Sequence, residues 1–112
     1  MPMIAVREYI APSGKSAYAR WFERFDAVAA ARVATAVYRL SEGNFSNTKG
    51  VGAGVFETRI DFGPGYRVYF GKDGETVVIL LGGSANKEQQ RAIEQAKAAW
   101  AEYKTLKPRQ RK

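Results

Sequence analysis

The chain has 112 residues, 46% hydrophobic and 12% aromatic, which suits one domain with a single core and is too apolar for disorder. It contains no cysteine and no histidine, which excludes disulfides, thiolate nucleophiles and Ser-His-Asp or Cys-His catalysis, and argues against a zinc site. The net charge of +7 is uneven: residues 104–112 (KTLKPRQRK) hold five basic residues and no acid, while residues 1–103 hold 13 basic and 11 acidic. Residues 1–106 are therefore expected to form one domain, with 107–112 as a basic tail. Such a tail serves either nucleic-acid contact or solubility. The segment MPMIAVREY lacks the apolar run of a signal peptide, and no stretch approaches membrane-spanning length, so a cytoplasmic location without membrane partners is expected.

In chain order, Met3–Ile10 has the alternation of a short strand, which Ala11-Pro12-Ser13-Gly14 ends. Ser13 is the expected N-cap of a helix over Lys15–Phe25, whose Tyr18, Trp21, Phe22 and Phe25 form one core-facing aromatic stripe. Asp26 is the expected N-cap of a second helix, Ala27–Glu42, with Gly43 at its C′ position and Val33, Val37 and Leu40 buried. The arginines of this hairpin, Arg20, Arg24, Arg32 and Arg39, are expected on exposed faces. Gly43–Ala53 is polar and glycine-rich and is expected to be a loop carrying Lys49.

Gly54–Lys87 then holds three expected strands and most of the candidate chemistry. In Val55–Phe62, the residues Phe56, Thr58, Ile60 and Phe62 share one face, and Val55, Glu57, Arg59 and Asp61 the other. Gly63-Pro64-Gly65 turns into Tyr66–Phe70, where Tyr66, Val68 and Phe70 oppose Arg67 and Tyr69. Gly71-Lys72-Asp73-Gly74 is a second expected turn, and Thr76–Leu81 an apolar central strand. If the Phe/Ile/Val face packs on helices, Glu57, Arg59, Arg67 and Tyr69 emerge together on an open face. Two guanidiniums there can hold a phosphodiester, or can simply pair with Glu57 and Asp61. On that parity, truncating Arg67 should leave the fold intact. Gly82-Gly83-Ser84 is expected to turn into a last helix, Asn86–Leu106, opened by an Asn86/Gln89 capping box and buried through Ile93, Ala96, Trp100 and Tyr103. Lys87 in its first turn would favour an anion.

The runs GVFETRIDFGPGYRVYF (Gly54–Phe70) and LLGGSANKEQQRAIEQA (Leu80–Ala96) resemble the RelE/ParE toxin superfamily, and within it the HigB-like, phage-derived addiction module killer proteins. The resemblance spans roughly residues 4–104. It implies an α+β, RelE-like fold: a first strand, a helical hairpin, a three-stranded antiparallel meander and a C-terminal helix. It implies the toxin of a type II toxin–antitoxin module, neutralised by a cognate helix-turn-helix DNA-binding antitoxin, which is expected to cover the Arg59/Arg67 face or to hold the toxin away from its target. RelE-type members inhibit translation as endoribonucleases. They cleave mRNA on the ribosome by attack of the 2′-hydroxyl on the adjacent phosphate, with no metal or cofactor.

Carried over by position are Arg67 of the Gly-Tyr-Arg motif, Arg59 on the preceding strand, and Lys87 after Gly-Gly. The tyrosine that some relatives place on the last helix falls at Ile93, and Glu57 stands where another basic residue is common. The general base is left to Tyr69, Glu57 or Lys87, unless catalysis rests on positioning and charge stabilisation alone. Lys49, Lys104, Lys107, Arg109, Arg111 and Lys112 are the further cations expected to contact RNA. Two other readings stay open: a ParE-like DNA gyrase inhibitor without an active site, and an inactive remnant that binds antitoxin.

Overall fold

A computed structural model describes residues 3–107. It is an α+β fold: a five-stranded mixed sheet with helices on both faces. β1 (Ala5–Glu8), α1 (Ala17–Phe22) and α2 (Ala27–Ser41) precede β2 (Thr48–Gly52), β3 (Val55–Ile60), β4 (Tyr66–Lys72) and β5 (Val77–Ala85). A 3₁₀ turn (Asn86–Glu88) leads into α3 (Gln89–Leu106). The sheet order is β1-β5-β4-β3-β2, antiparallel throughout except that β1 runs parallel to β5.

α2 forms nearly over its expected span, whereas the helix expected over Lys15–Phe25 is confined to Ala17–Phe22. The cap of α1 is Ser16 and not Ser13: its side chain accepts the Ala19 N–H at 3.0 Å. Asp26 caps α2 by accepting the Ala29 N–H at 2.9 Å. At the other end Gly43 (φ 80°) donates to the Leu40 carbonyl and Asn44 to the Arg39 carbonyl, a Schellman ending that glycine accepts without strain.

The sheet corrects the expected meander in two places. Residues expected as a loop form β2, paired with β3 from Thr48↔Thr58 onward. A two-residue turn makes this possible: Ala53 (φ 56°) and Gly54 (φ 82°) both take the left-handed region that a tight hairpin requires. The antiparallel part of the sheet therefore has four strands. The expected turn at Gly82-Gly83-Ser84 is instead strand, because β5 runs on to Ala85 after a register shift opposite Tyr69/Phe70. The strand of Tyr66–Phe70 likewise continues to Lys72, so the following turn starts at Asp73, two residues later than expected.

Two cores result, one on each side of the sheet. Val33, Leu40, Ile60, Val68, Phe70, Val78 and Leu80 pack with Tyr18 beneath α1 and α2. Val55, Tyr69, Ile79 and Leu81 pack with Ala96 and Trp100 beneath α3. The strand parity of the sequence is thus correct, but its inference of an open second face is not. α3 covers that face. Each fully buried aliphatic chain contributes about 1.5–3 kcal/mol, so both layers matter to stability. The close approach of α3 depends on Gly71: a Cβ there would lie 2.5 Å from the Trp100 ring.

The far end of α3 is pinned to the β4–β5 turn. Asp73 accepts the Tyr103 hydroxyl at 2.5 Å and the Lys107 ammonium at 2.7 Å. Tyr9 donates its hydroxyl to Glu102 beside them.

Candidate functional site: a held arginine at the end of the sheet

Three strands put one row of side chains across the α3-side face. Antiparallel register sets Arg59 opposite Arg67 and Arg67 opposite Ser84. The next row holds Lys49, Glu57 and Tyr69. Directly opposed Cβ atoms are about 4.5–5.5 Å apart, so these rows form one patch. Ser84 belongs to it because of the register shift. Phe70 pairs with Leu80 while Tyr69 pairs with Gly82, which leaves Leu81 as an extra residue. An extra residue re-aims every side chain beyond it. Gly83 accordingly meets Trp21 of α1, and Ser84 turns toward Tyr69.

Arg67 is the centre of the patch. Its Nη1 donates to the Glu57 carboxylate, and its Nε donates to Asn86 Oδ1 at 2.8 Å. The Glu57 side chain is 1% exposed and that of Arg67 14%, so the ion pair is nearly out of water. Nη2 has no hydrogen-bond partner among the described residues. A guanidinium fixed by two partners keeps one orientation and loses little entropy when it binds.

Asn86 holds its position through the Gly-Pro-Gly turn. Its N–H donates to the Gly65 carbonyl at 3.0 Å, and a Cβ on Gly65 (φ 88°) would lie 2.6 Å from its amide nitrogen. That turn is the reason Arg67 has a second partner. The capping box expected of Asn86 does not form, because its side chain serves Arg67 and not the helix start.

Tyr69 is fully buried, and its hydroxyl shares a 3.0 Å hydrogen bond with Ser84. Burial raises its pKa above the usual phenol value. The Ser84 hydrogen bond opposes that shift, Glu57 adds to it, and Arg67 opposes it. A neutral, enclosed phenol supports the sheet and does not reach a substrate. The expected grouping on an open patch therefore fails for Tyr69 and Glu57. They lie under the surface, Glu57 paired with Arg67 and Tyr69 hydrogen-bonded to Ser84.

The other candidate cations divide by location. Arg59 is exposed at the patch and forms no ion pair among the described residues. It also borders a hollow of about 450 Å³ with Arg32, Arg39, Asn47 and Asp61. Arg32 and Arg39 are exposed, as expected, and share this hollow with Arg59 and Asp61. Lys87 is exposed in the 3₁₀ turn, next in sequence to Asn86, and lines a groove of about 730 Å³ with Ser84, Arg24 and Arg91. Lys49 is exposed on the edge strand β2.

Lys104 and Lys107 are elsewhere. Lys107 is engaged with Asp73, six residues along the chain from Arg67, which is about 20 Å of strand. Lys104 lies over the Trp100 ring at 5.6 Å from its centroid. Neither joins the Arg67 patch. Arg109, Arg111 and Lys112 lie outside the described residues.

Ser84 and Asn86 are the members that the sequence did not point out. The signals were present but local: two glycines before Ser84, and an asparagine directly after a strand. Among the described residues no cluster of His, Cys, Asp and Glu forms a metal-binding group, and no helix is long and apolar enough to cross a membrane.

No protein-family model matches the chain. It is 45% identical over 69 residues to an uncharacterised protein of Haemophilus influenzae, a match covering 62% of this chain and 70% of that protein.

Proposed function

We propose that this chain, which belongs to the same family as the Haemophilus influenzae protein, is the toxin of a type II toxin–antitoxin module with a RelE-like fold. In this reading it is an mRNA endoribonuclease that inhibits translation, acts in the cytoplasm on ribosome-bound message, and is neutralised by a helix-turn-helix antitoxin. One observation carries the reading: a nearly desolvated guanidinium, Arg67, is held rigidly by Glu57 and Asn86 beside the exposed Arg59, and Lys87 is next in sequence to its holder Asn86. Such an arrangement suits a phosphate that gains negative charge.

In the proposed reaction the 2′-oxygen bonds to phosphorus and the phosphorus–O5′ bond breaks. The 2′ proton leaves and a proton returns to O5′. Arg67 Nη2 and Arg59 oppose the charge that builds on the non-bridging oxygens, and Lys87 adds a mobile cation. Glu57 and Asn86 are positioning residues, and Tyr69 with Ser84 sets the floor beneath them.

A second reading, a ParE-like gyrase inhibitor, is favoured by the burial of Glu57 and Tyr69, which removes two candidate bases from the surface. Mapping mRNA 5′ ends by primer extension after induction separates the two. New, Arg67-dependent ends support the nuclease. Growth arrest with DNA damage and intact mRNA supports the inhibitor and overturns the nuclease.

A further inference from the structure

The sheet leaves half of one strand without a neighbour. β1 pairs with β5 only from Ala5↔Val77 to Glu8↔Leu80, and a last bond runs from the Tyr9 N–H to the Leu80 carbonyl. Beyond it, Leu81–Ala85 has β4 on one side and, among the described residues, no strand on the other. α1 and α3 rise on either side of this edge, so it floors a groove. The groove has two stretches, of about 380 and 730 Å³, which join at Trp21, Gly83 and Ala92.

The walls are small and the rim is cationic. Ala17 on α1 and Ala92, Ala96 and Ala99 on α3 line the narrower stretch above Gly82 and Gly83. Arg20 and Arg24 stand on the α1 side, Lys87 and Arg91 on the α3 side. All four are exposed and form no ion pair among the described residues. Glu88 is the acid among the lining residues. The span from Arg91 to Ala99 is about 12 Å of helix, the length of roughly four residues of extended chain.

An unpaired strand edge offers ladder hydrogen bonds to another peptide backbone, and an added strand sends alternate side chains to opposite faces. Here one face leads to Arg20 and Arg24 and the other to Lys87 and Arg91, so acidic side chains on both faces of the strand find cations. A nucleic acid would meet the same charges, but its phosphodiester backbone cannot continue the ladder. Residues 108–112 of this chain carry cations and no acid, so charge sets them apart from the occupant. We propose that this groove takes an extended acidic segment of a partner protein, which adds a strand to the free edge of β5.

The proposal stands apart from the RNA-cleavage reading and is tested without it. The probe is a labelled, blocked octapeptide, Val-Glu-Glu-Val-Val-Glu-Glu-Val, titrated onto the full chain by fluorescence anisotropy, with amide exchange followed by NMR. Its acids fall on both faces of a strand. Expected are saturable binding and slowed exchange confined to the Leu81–Ala85 amides. N-methylating alternate peptide residues, which keeps the charge and removes ladder bonds, should weaken binding at least about tenfold. Arg24→Glu with Arg91→Glu should do the same; both are surface positions, and circular dichroism checks that the variant folds. Absence of binding, or equal binding of the N-methylated peptide, overturns the proposal. So does an oligouridylate of equal charge that outcompetes the octapeptide at the same amides, which would make the groove a nucleic-acid path.

Discussion

Replacing Arg67 by alanine tests both the site and the packing beneath it. Strand parity alone suggested a harmless truncation of a surface side chain. The structure gives a different expectation, because the partner left behind is Glu57, 1% exposed. Removing one member of a buried ion pair strands the other charge and typically costs about 3–5 kcal/mol. For a domain of this size each kcal/mol lowers the melting temperature by about 4 °C, so Arg67→Ala should melt roughly 10–20 °C below wild type. The double variant Arg67→Met/Glu57→Leu removes both charges, and replacing such a pair by apolar groups is often neutral or stabilising. It should recover most of the loss. Activity should not follow stability. Loss of the cation facing the developing phosphate charge should lower mRNA cleavage about 10²–10³-fold in both variants. Arg67→Lys should retain part of the activity, since an ammonium keeps the charge without the fork that meets Glu57 and Asn86 together. Thermal melts with primer-extension assays of cleavage decide the matter. An Arg67→Ala protein that melts within about 1 kcal/mol of wild type would refute the buried pair. A double variant that melts like wild type and cleaves like wild type would refute the catalytic role.

Other expectations follow from the same geometry. Asp73 has its pKa lowered, chiefly by the Lys107 hydrogen bond and then by that from Tyr103. Its contribution is present above the unfolded carboxyl pKa and is lost as pH falls through the lower folded value, so Asp73→Asn should flatten part of the acid limb of a melting-temperature profile. Gly71→Ala should overpack against Trp100 and lower stability by about 1–3 kcal/mol in chemical denaturation. Asn86→Ala should leave the melt nearly unchanged while reducing cleavage, because it frees Arg67 Nε without stranding a buried charge; an unchanged cleavage rate would remove Asn86 as a positioning residue. Deleting residues 108–112 while keeping Lys107 should preserve stability and reduce the log–log salt slope of RNA binding, by about 0.7 per lost phosphate contact.

Helices and strand faces were legible because they depend on local periodicity. Tyr18, Val33, Leu40 and Trp100 are buried as their spacing predicts. Features that depend on pairing were not. β2 is built from Thr-Lys-Gly-Val-Gly, whose composition resembles a loop, and its strand character comes from β3 alongside. The extension of β5 through two glycines depends on Gly83 fitting against Trp21. The covered second face could not be read from parity, which sorts residues by side without saying what lies over each side. Arg67 lies on the strand face that parity gives it, yet its partners were misassigned: Glu57 appeared as a surface acid and Asn86 as a helix cap.

The pairing of β1 with β5 has a consequence for synthesis. The β2–β3 and β3–β4 hairpins can close as soon as they leave the ribosome, since their contacts are near in sequence. β1 has no partner until Val77–Leu80 has emerged. Asn86 follows Arg67 by 19 residues, which at about 5–20 residues per second is roughly one to four seconds of translation. The guanidinium is therefore locked in place late, after most of the sheet exists. Until Asn86 has emerged, a nascent chain can hold Arg67 through Glu57 alone, so the patch is the last part of the sheet to be completed.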